Sequence, residues 1–133
     1  MPKITFISDT HESPGLWGNV PLDTDILIHC GDFTKMGRGP ELSGQLAKLA
    51  SFPQPEKLFV YGNHDRAGET GWPWPPELVR MQNSGWTTTD GLKLWGTPYC
   101  PEFNGWAFSY PRYSEKAEGI FSMIPEGLDI LVT

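Results

Sequence analysis

Cysteine and histidine are both scarce in this 133-residue chain, which contains two cysteines and three histidines. The cysteines, Cys30 and Cys100, form no CxxC pattern, which argues against a disulfide framework. Cys30 ends an apolar segment, so we predict that it is a small buried hydrophobic residue. A nucleophilic Cys30 would need a paired base, and the neighbouring His29 would point to the opposite face of a strand. Cysteine catalysis is therefore not expected.

Basic residues are outnumbered, with ten Lys and Arg against sixteen Asp and Glu, so the net charge is −6. A general nucleic-acid-binding protein would normally present a basic face, so we expect no such partner. A phosphate substrate stays compatible with this charge, because bound metal cations would invert the local field. No apolar run approaches the ~20 residues of a membrane span, and the N-terminal segment is not typical of a signal peptide. We expect a cytoplasmic protein without a membrane partner.

The first half of the chain has the pattern of a βαβ unit. A chain of this length and 38% hydrophobic content fits one domain, residues 1–133. Three short apolar segments predict strands, and Leu42, Leu46 and Leu49 repeat at helical spacing before Pro53. The predicted strands are Lys3–Ser8, Asp25–Cys30 and Lys57–Tyr61, and the predicted helix is Glu41–Phe52. Strands two and three should be parallel, because a helix connects them.

The second half predicts an antiparallel element. Asp90-Gly91 is a hairpin signal between two short strands, and Ser114 is a candidate cap for a helix with a core face of Ala117, Ile120, Phe121 and Ile124. The other predictions here are a loop over 67–76, a helix near Glu77–Gln82, hairpin strands Trp86–Thr89 and Leu92–Trp95, a strand Trp106–Ser109 and a buried strand Leu128–Val132. The fold class is therefore α/β, with a mixed set of strands.

Polar side chains follow three successive strands of this prediction. Asp9 and His11 follow the first, Asp32 follows the second, and Asn63 and His64 follow the third. Ligands of open α/β sheets bind beyond the carboxyl ends of the strands. Carboxylate, imidazole and amide oxygen are groups that hard or borderline divalent metals accept. The sequence therefore predicts a metal site at this end of the sheet.

Two ions at such a site would suit phosphate ester hydrolysis. In an extended segment Asp9 and His11 would face the same way, Asp32 could bridge two ions, and Asn63 could bind the second. A protonated His64 could stabilise developing charge or protonate the leaving group. Each motif alone has a structural alternative: Gly31-Asp32 as a turn, Asn63 at a left-handed position, Ser8 or Asp65 as caps. His29 lies within a strand and is predicted to be buried and hydrogen-bonded.

These motifs resemble those of the calcineurin-like metallophosphoesterases. The matching blocks are Asp9-Thr10-His11, Gly31-Asp32 and Gly62-Asn63-His64-Asp65. In finer detail the sequence is similar to the metallophosphoesterase-domain-containing branch. The segments that carry this similarity are Ile7–His11, His29–Thr34, Tyr61–Asp65, Trp95–Pro98, Pro101–Phe108 and Ile124–Thr133.

The resemblance implies a set of roles for these residues. Asp9, His11 and Asp32 would hold one metal, Asp32 and Asn63 a second, and His64 would assist catalysis. The ions would be manganese, iron, zinc or magnesium, and the substrates phosphate mono- and diesters, with cyclic nucleotides implied by the branch. The implied fold is the amino-terminal part of a four-layer metallophosphoesterase sandwich with a mixed sheet.

The chain departs from the family pattern at its end. The family has a further histidine after its Ile-Leu-Val-Thr-type strand and a later Gly-His-x-His-type block, whereas this sequence stops at Thr133 and has only His11, His29 and His64. We therefore expect residues 1–133 to lack the carboxyl-terminal part of the domain and to bind the second ion weakly. Leu128–Val132 would then be an exposed sheet edge that invites association.

An alternative function is a catalytically impaired scaffold or protein-interaction module. The tryptophan-rich middle would suit an exposed apolar contact surface. Packing in the core and loops is the other explanation for these tryptophans, since each can bury a large area. They are Trp72, Trp74, Trp86, Trp95 and Trp106.

Overall fold

A four-stranded parallel sheet organises the first half of the chain in the computed structural model, which describes residues 1–133. Its strands lie in the order β1-β2-β3-β4 and are β1 (Ile4–Ile7), β2 (Ile26–His29), β3 (Glu56–Phe59) and β4 (Val79–Arg80). The register pairs Ile4 with Ile26, and Ile26 with Glu56. The first three strands therefore start and end at the same level, and the segments that follow them emerge side by side.

Two helices, α1 (Pro14–Trp17) and α2 (Gly39–Ala50), belong to this half of the chain. Helix α2 begins two residues before the predicted Glu41, because Pro40 fits a first helical turn, where no N–H is needed. Its leucines at helical spacing are fully buried, as predicted, in a cluster with residues of β2, β3 and the loops. The main members of this cluster are Trp17, Leu27, Phe33, Leu42, Leu46, Leu49, Phe59 and Tyr61.

The second sheet contains β5 (Ser84–Thr87), β6 (Lys93–Gly96) and β9 (Ile130–Val132). β5 and β6 are antiparallel, which confirms the predicted hairpin, and β9 runs parallel to β6. The turn is longer than two residues, since the Thr88 N–H donates to the Leu92 carbonyl and Gly91 has φ +87°. Apolar residues of both sheets share one buried cluster, made of Ile26, Ile28, Leu58, Val60, Met81, Leu94 and Val132.

The predicted helix near Glu77–Gln82 is wrong. The Leu78 N–H donates to the Pro75 carbonyl and forms a turn. Val79–Arg80 then pairs in parallel with β3 as strand β4. The segment is too short for a stable helix, and the edge of β3 offers backbone partners that an isolated helical turn lacks. The predicted loop 67–76 also contains regular structure, a 3₁₀ helix at Arg66–Thr70.

Two further short strands, β7 (Cys100–Pro101) and β8 (Ser109–Tyr110), pair in parallel and precede helix α3 (Glu115–Ser122). The predicted strand Trp106–Ser109 is thus displaced toward Tyr110. The predicted cap is confirmed, because the Ser114 side chain accepts from the Ala117 N–H at 3.2 Å. Ala117 and Ile120 are buried, but Phe121 is 52% exposed, so the core face of α3 is narrower than predicted.

The α/β class with parallel and mixed sheets is confirmed by these elements. The prediction that the last strand is buried is wrong, because β9 lies at the edge of its sheet, only Val132 is buried, and Leu131 is 48% exposed.

Among the tryptophans of the middle and later segments only Trp86 is exposed, whereas Trp72, Trp74, Trp95 and Trp106 are half-buried. None of the helices has the length and apolar character that a membrane crossing requires.

Candidate metal centre

The segments after β1 and β2 stay paired beyond the ends of the strands. The N–H of Asp9 donates to the Gly31 carbonyl at 3.0 Å, and the N–H of His11 donates to the Asp32 carbonyl at 3.1 Å. These bonds join the two loops beyond the last pair of the sheet, Ile7 with His29, in a different register. The predicted site residues are therefore carried on backbone that is itself hydrogen-bonded across the loops.

The backbone at three of these residues is left-handed. Asp9 has φ 54°, His11 has φ 42° and Asp32 has φ 58°. The prediction that Asp9 and His11 share one face of an extended segment is therefore wrong in its geometry, although the two side chains do meet. Residues without glycine's freedom adopt this region at an energetic cost, and such residues cluster at functional sites.

Asp9, His11 and Asp32 offer ligand atoms that all lie within 4.8 Å of one another. His11 Nε2 is 3.7 Å from Asp9 Oδ1 and 4.0 Å from Asp32 Oδ2. His11 Nδ1 lies 2.9 Å from the Thr34 carbonyl, so Nδ1 carries the proton and Nε2 turns its lone pair toward the carboxylates. Neither carboxylate forms an ion pair with lysine or arginine. This set of donors fits a divalent cation, whose charge would offset both carboxylates.

Asn63 approaches the same carboxylate from β3. Its side-chain oxygen faces Asp32 and lies 3.2 Å from both carboxylate oxygens, whereas rotation of the amide by half a turn would let its nitrogen donate to both. Asn63 thus presents an oxygen beside Asp32, and the two residues are placed to share an ion. Asn63 is not in a left-handed conformation, which removes that structural explanation for an asparagine here.

His64 lies at the margin of the cluster. Its backbone N–H donates to Asp32 Oδ1 at 3.0 Å, and its ring lies 4.8 Å from the ring of His11, centroid to centroid. His64 Nδ1 contacts the Lys35 carbonyl at 2.7 Å, which leaves Nε2 available. The structure thus brings all five predicted site residues to one end of the first sheet.

Asp65 holds this arrangement from beneath, in a role that the sequence did not reveal. It is fully buried and accepts from the N–H groups of Phe33, Thr34 and Gly62 and from the Thr34 hydroxyl, at 2.8–3.2 Å. It does not act as a side-chain cap. Burial raises the pKa of Asp65 even though these hydrogen bonds oppose the shift. The carboxylate joins the loop after β2 to the loop after β3, and its position next to Asn63-His64 was the only sequence signal.

His29 is buried and hydrogen-bonded, which confirms the prediction. The Gly31 N–H donates to Nδ1 at 3.1 Å, so the proton lies on Nε2, which is 3.0 Å from the Thr10 hydroxyl. Burial, together with the nearby His11, lowers the pKa of His29 to about 3. His29 is therefore neutral and has no free nitrogen for a metal.

A cleft of about 400 Å³ opens beside the cluster, with Asp9, Asp32 and Asn63 on one side and residues of the 97–101 segment on the other. Both cysteines line it. Burial, then the charge of Asp9, raises the pKa of Cys30 to about 11, and burial with Asp32 raises that of Cys100. Both thiols are protonated at neutral pH, so neither is an activated nucleophile.

Comparison with known proteins places this chain among the calcineurin-like phosphoesterases. The sequence model of the calcineurin-like phosphoesterases matches residues 2–126. Metallophosphoesterase domain-containing protein 1 of Homo sapiens and that of Mus musculus are each 31% identical over 161 residues, covering 98% of this chain and 47% of their own length. A probable rhamnogalacturonate lyase C of Emericella nidulans is 32% identical over 146 residues, covering 98% of this chain and 13% of its own length. The chain thus spans less than half the length of each of these relatives.

Proposed function

This chain belongs to the calcineurin-like phosphoesterase family, and on that premise we propose that it is a metal-dependent hydrolase of phosphate esters. The observation that carries the proposal is the convergence of Asp9, His11 and Asp32, with ligand atoms within 4.8 Å of one another. Three donors without competing cationic partners, at the carboxyl ends of parallel strands and beside a cleft, are suited to a cation and a small anionic substrate.

The proposed centre has two unequal metal positions. Asp9, His11 and Asp32 would hold the first divalent ion, and Asp32 with Asn63 would hold the second. The second position has two protein ligands in this chain, so we expect it to bind more weakly. Oxygen and imidazole ligands suit manganese, iron, zinc or magnesium. When bound, such ions supply Lewis acidity toward the phosphate and lower the pKa of coordinated water toward 7.

The chain's own residues would then handle the proton and the leaving group. Hydrolysis adds water to phosphorus and breaks one P–O ester bond, and the departing alcohol takes up a proton. His64 would supply that proton from Nε2, a role supported by the contact of its Nδ1 with the Lys35 carbonyl at 2.7 Å, which leaves Nε2 available. The hydrogen bond from the His64 N–H to Asp32 holds this histidine in a constant relation to the cluster.

The size of the cleft supports a small substrate. About 400 Å³ is in the range of small-molecule sites, and it suits a phosphate mono- or diester such as a nucleotide or cyclic nucleotide. We propose no general nucleic-acid partner and no membrane partner, in keeping with the net charge of −6. A cytoplasmic location remains a proposal of the same kind.

One observation favours a second candidate, a scaffold or interaction module. Strand β9 has a free edge, and Leu131 on it is 48% exposed. An open strand edge with apolar side chains can pair with another chain. This candidate predicts a protein that holds no metal when purified but retains a partner.

Metal titration with a matched control tests the proposal. Calorimetry should show Mn²⁺ binding to the wild-type chain, an affinity that falls by about 10–100-fold in Asp32→Asn, and no change in Asp23→Asn, whose side chain is 79% exposed and pairs only with Lys3. Hydrolysis of bis(p-nitrophenyl) phosphate by the Mn²⁺-loaded chain should be lost in the same variant. Equal Mn²⁺ binding by all three proteins would contradict the metal centre. Mn²⁺ binding without hydrolysis would contradict the hydrolytic function, and a wild-type chain that binds no Mn²⁺ but retains a protein partner would favour the scaffold.

A further inference from the structure

Trp106 contacts the predicted catalytic histidine, although 42 positions separate them in the chain. The ring centroids of His64 and Trp106 lie 3.9 Å apart, with an interplanar angle of 27°, so the two rings are stacked. Stacked aromatic pairs contribute about 0.5–1.5 kcal/mol beyond the area that they bury. No assigned role in the metal centre accounts for this tryptophan.

The two residues that follow Trp106 are hydrogen-bonded to residues on either side of His64 in the chain. The Ala107 N–H donates to the Asn63 carbonyl at 3.0 Å, and the Phe108 N–H donates to the Glu69 carboxylate at 2.7 Å. Within the loop, the Trp106 N–H closes a turn onto the Phe103 carbonyl at 3.1 Å. The indole therefore lies on a constrained backbone, which the Ala107 N–H links directly to the Asn63 carbonyl.

A hydrogen bond and a ring stack both restrict the orientation of the His64 imidazole. The hydrogen bond from His64 Nδ1 to the Lys35 carbonyl, at 2.7 Å, fixes one point of the imidazole, but the ring could still swing about that point. The stacked indole fixes the plane of the ring. Together they determine where Nε2 points relative to Asp32, and proton transfer depends steeply on such placement.

We propose that Trp106 is a positioning residue that holds the His64 imidazole in the orientation needed to act on the leaving group. This inference rests on the proposed hydrolytic function. Arg66 lies against the same indole, with its guanidinium carbon 4.9 Å from the ring centroid, and this cation–π contact further limits the movement of the tryptophan.

Kinetics of Mn²⁺-loaded variants separate positioning from a structural role. Trp106→Met keeps bulk without a ring and should lower kcat for bis(p-nitrophenyl) phosphate by about 10-fold, with KM changed by less than about twofold. Trp106→Phe retains an aromatic face and should recover kcat to within about threefold of wild type. Trp86→Phe is the matched control, because Trp86 lies in the second sheet and bonds to Glu56, away from the centre.

A double mutant makes the test sharper. If Trp106 acts through His64, adding Trp106→Met to His64→Gln should lower kcat no further than His64→Gln alone. Multiplicative losses, or an unchanged kcat in Trp106→Met, would overturn the proposal.

A measurement on the folded metal-free protein keeps this proposal distinct from the proposed function. Nuclear Overhauser contacts should join the His64 ring protons to the Trp106 indole, and the His64 resonances should move downfield in Trp106→Met as the ring current is lost. If the chain hydrolyses no phosphate ester but these signals are present, the hydrolytic function fails while the contact stands. If the signals are absent in the wild-type protein, the positioning role is excluded whatever the activity.

Discussion

Two adjacent layers at the carboxyl end of the first sheet use the same residue types in opposite ways. In the lower layer, Asp65 and His29 are fully buried, and their polar atoms meet hydrogen-bond donors and acceptors of the surrounding loops. In the upper layer, the Asp9 side chain is 65% exposed, and the carboxylates of Asp9 and Asp32 face a histidine and each other without a lysine or arginine. In the lower layer the buried carboxylate and imidazole have all their polar atoms hydrogen-bonded within the protein, whereas the carboxylates of the upper layer have no cationic partner.

The largest expected loss in the free energy of unfolding comes from a substitution in the lower layer. Asp65→Asn replaces one accepting oxygen with a donor that would face N–H groups, so several buried donors lose their partner. Since hydrogen bonds to charged groups contribute about 1.5–3 kcal/mol each, we expect the free energy of unfolding to fall by about 4 kcal/mol. Urea unfolding measures this value. A loss below about 1 kcal/mol would mean that the two layers do not differ as described.

The next effect reaches both layers through Gly62. A Cβ at this position would lie 2.0 Å from Asp32 Oδ1 and 2.3 Å from the Asp32 backbone nitrogen. Gly62→Ala should therefore displace the loop that carries Asp32, lower the free energy of unfolding by about 1–3 kcal/mol and weaken Mn²⁺ binding. The control is Gly44→Ala on α2, where a Cβ meets nothing within 4 Å. Equal Mn²⁺ affinity in both variants would contradict the close approach.

The third effect concerns pH. The pKa of buried His29 is lowered from 6.5 to about 3. Below pH 6.5 this histidine is therefore protonated in the unfolded chain but stays neutral in the folded chain. Stability from this group is present above pH 6.5 and is lost as pH falls, by about 1.4 kcal/mol per pH unit. The raised pKa of Asp65 acts in the opposite direction, because the folded state takes up that proton more readily.

A variant isolates the contribution of His29. In His29→Gln the titrating group is absent, so the difference in unfolding free energy between wild type and variant should shrink by about 1.4 kcal/mol per unit below pH 6. Urea unfolding at pH 7, 6 and 5 provides the measurement. Parallel pH curves for the two proteins would show that His29 titrates normally in the folded chain.

The smallest effect on stability is expected in the upper layer. Asp9→Asn changes a largely exposed side chain and removes one of the clustered carboxylates, so the free energy of unfolding should change by no more than about 0.5 kcal/mol. Mn²⁺ affinity should nevertheless fall by at least about tenfold. Compared with Asp65→Asn, the same chemical change would then give opposite patterns of stability and binding. A large stability loss in Asp9→Asn would remove the distinction between the layers.

The elements that carry this centre were predictable because local signals agreed with the tertiary structure. Leu42, Leu46 and Leu49 repeat at helical spacing, and α2 buries all three. The apolar segments that became β1, β2 and β3 end just before the polar residues, which placed Asp9, Asp32 and Asn63 at one end of a sheet. Strand ends that line up in a parallel sheet are a consequence of topology, so the convergence followed from the order of elements.

Other features depend on contacts that leave little trace in local sequence. Val79–Arg80 joins the sheet because β3 offers an edge, whereas the surrounding residues favoured a helix. The left-handed conformations of Asp9 and His11 have no glycine to mark them. For Asp65 the local sequence offers a cap as one alternative, because two of its backbone partners, Phe33 and Thr34, are about 30 residues away in the chain. The stack of Trp106 on His64 is likewise a long-range contact that periodicity cannot indicate.

The hydrogen bonds between the loops after β1 and β2 limit where the length of the chain can vary. The N–H groups of Asp9, His11 and Glu12 donate to the carbonyls of Gly31, Asp32 and Phe33, respectively. One inserted or deleted residue between Ile7 and Glu12 would shift every later partner and turn the His11 ring away from Asp32. Leu22 and Asp23, in the same connection between the strands, are exposed and face no such requirement. Natural length variants of this chain should therefore tolerate insertions near Leu22 and exclude them between the first strand and Glu12.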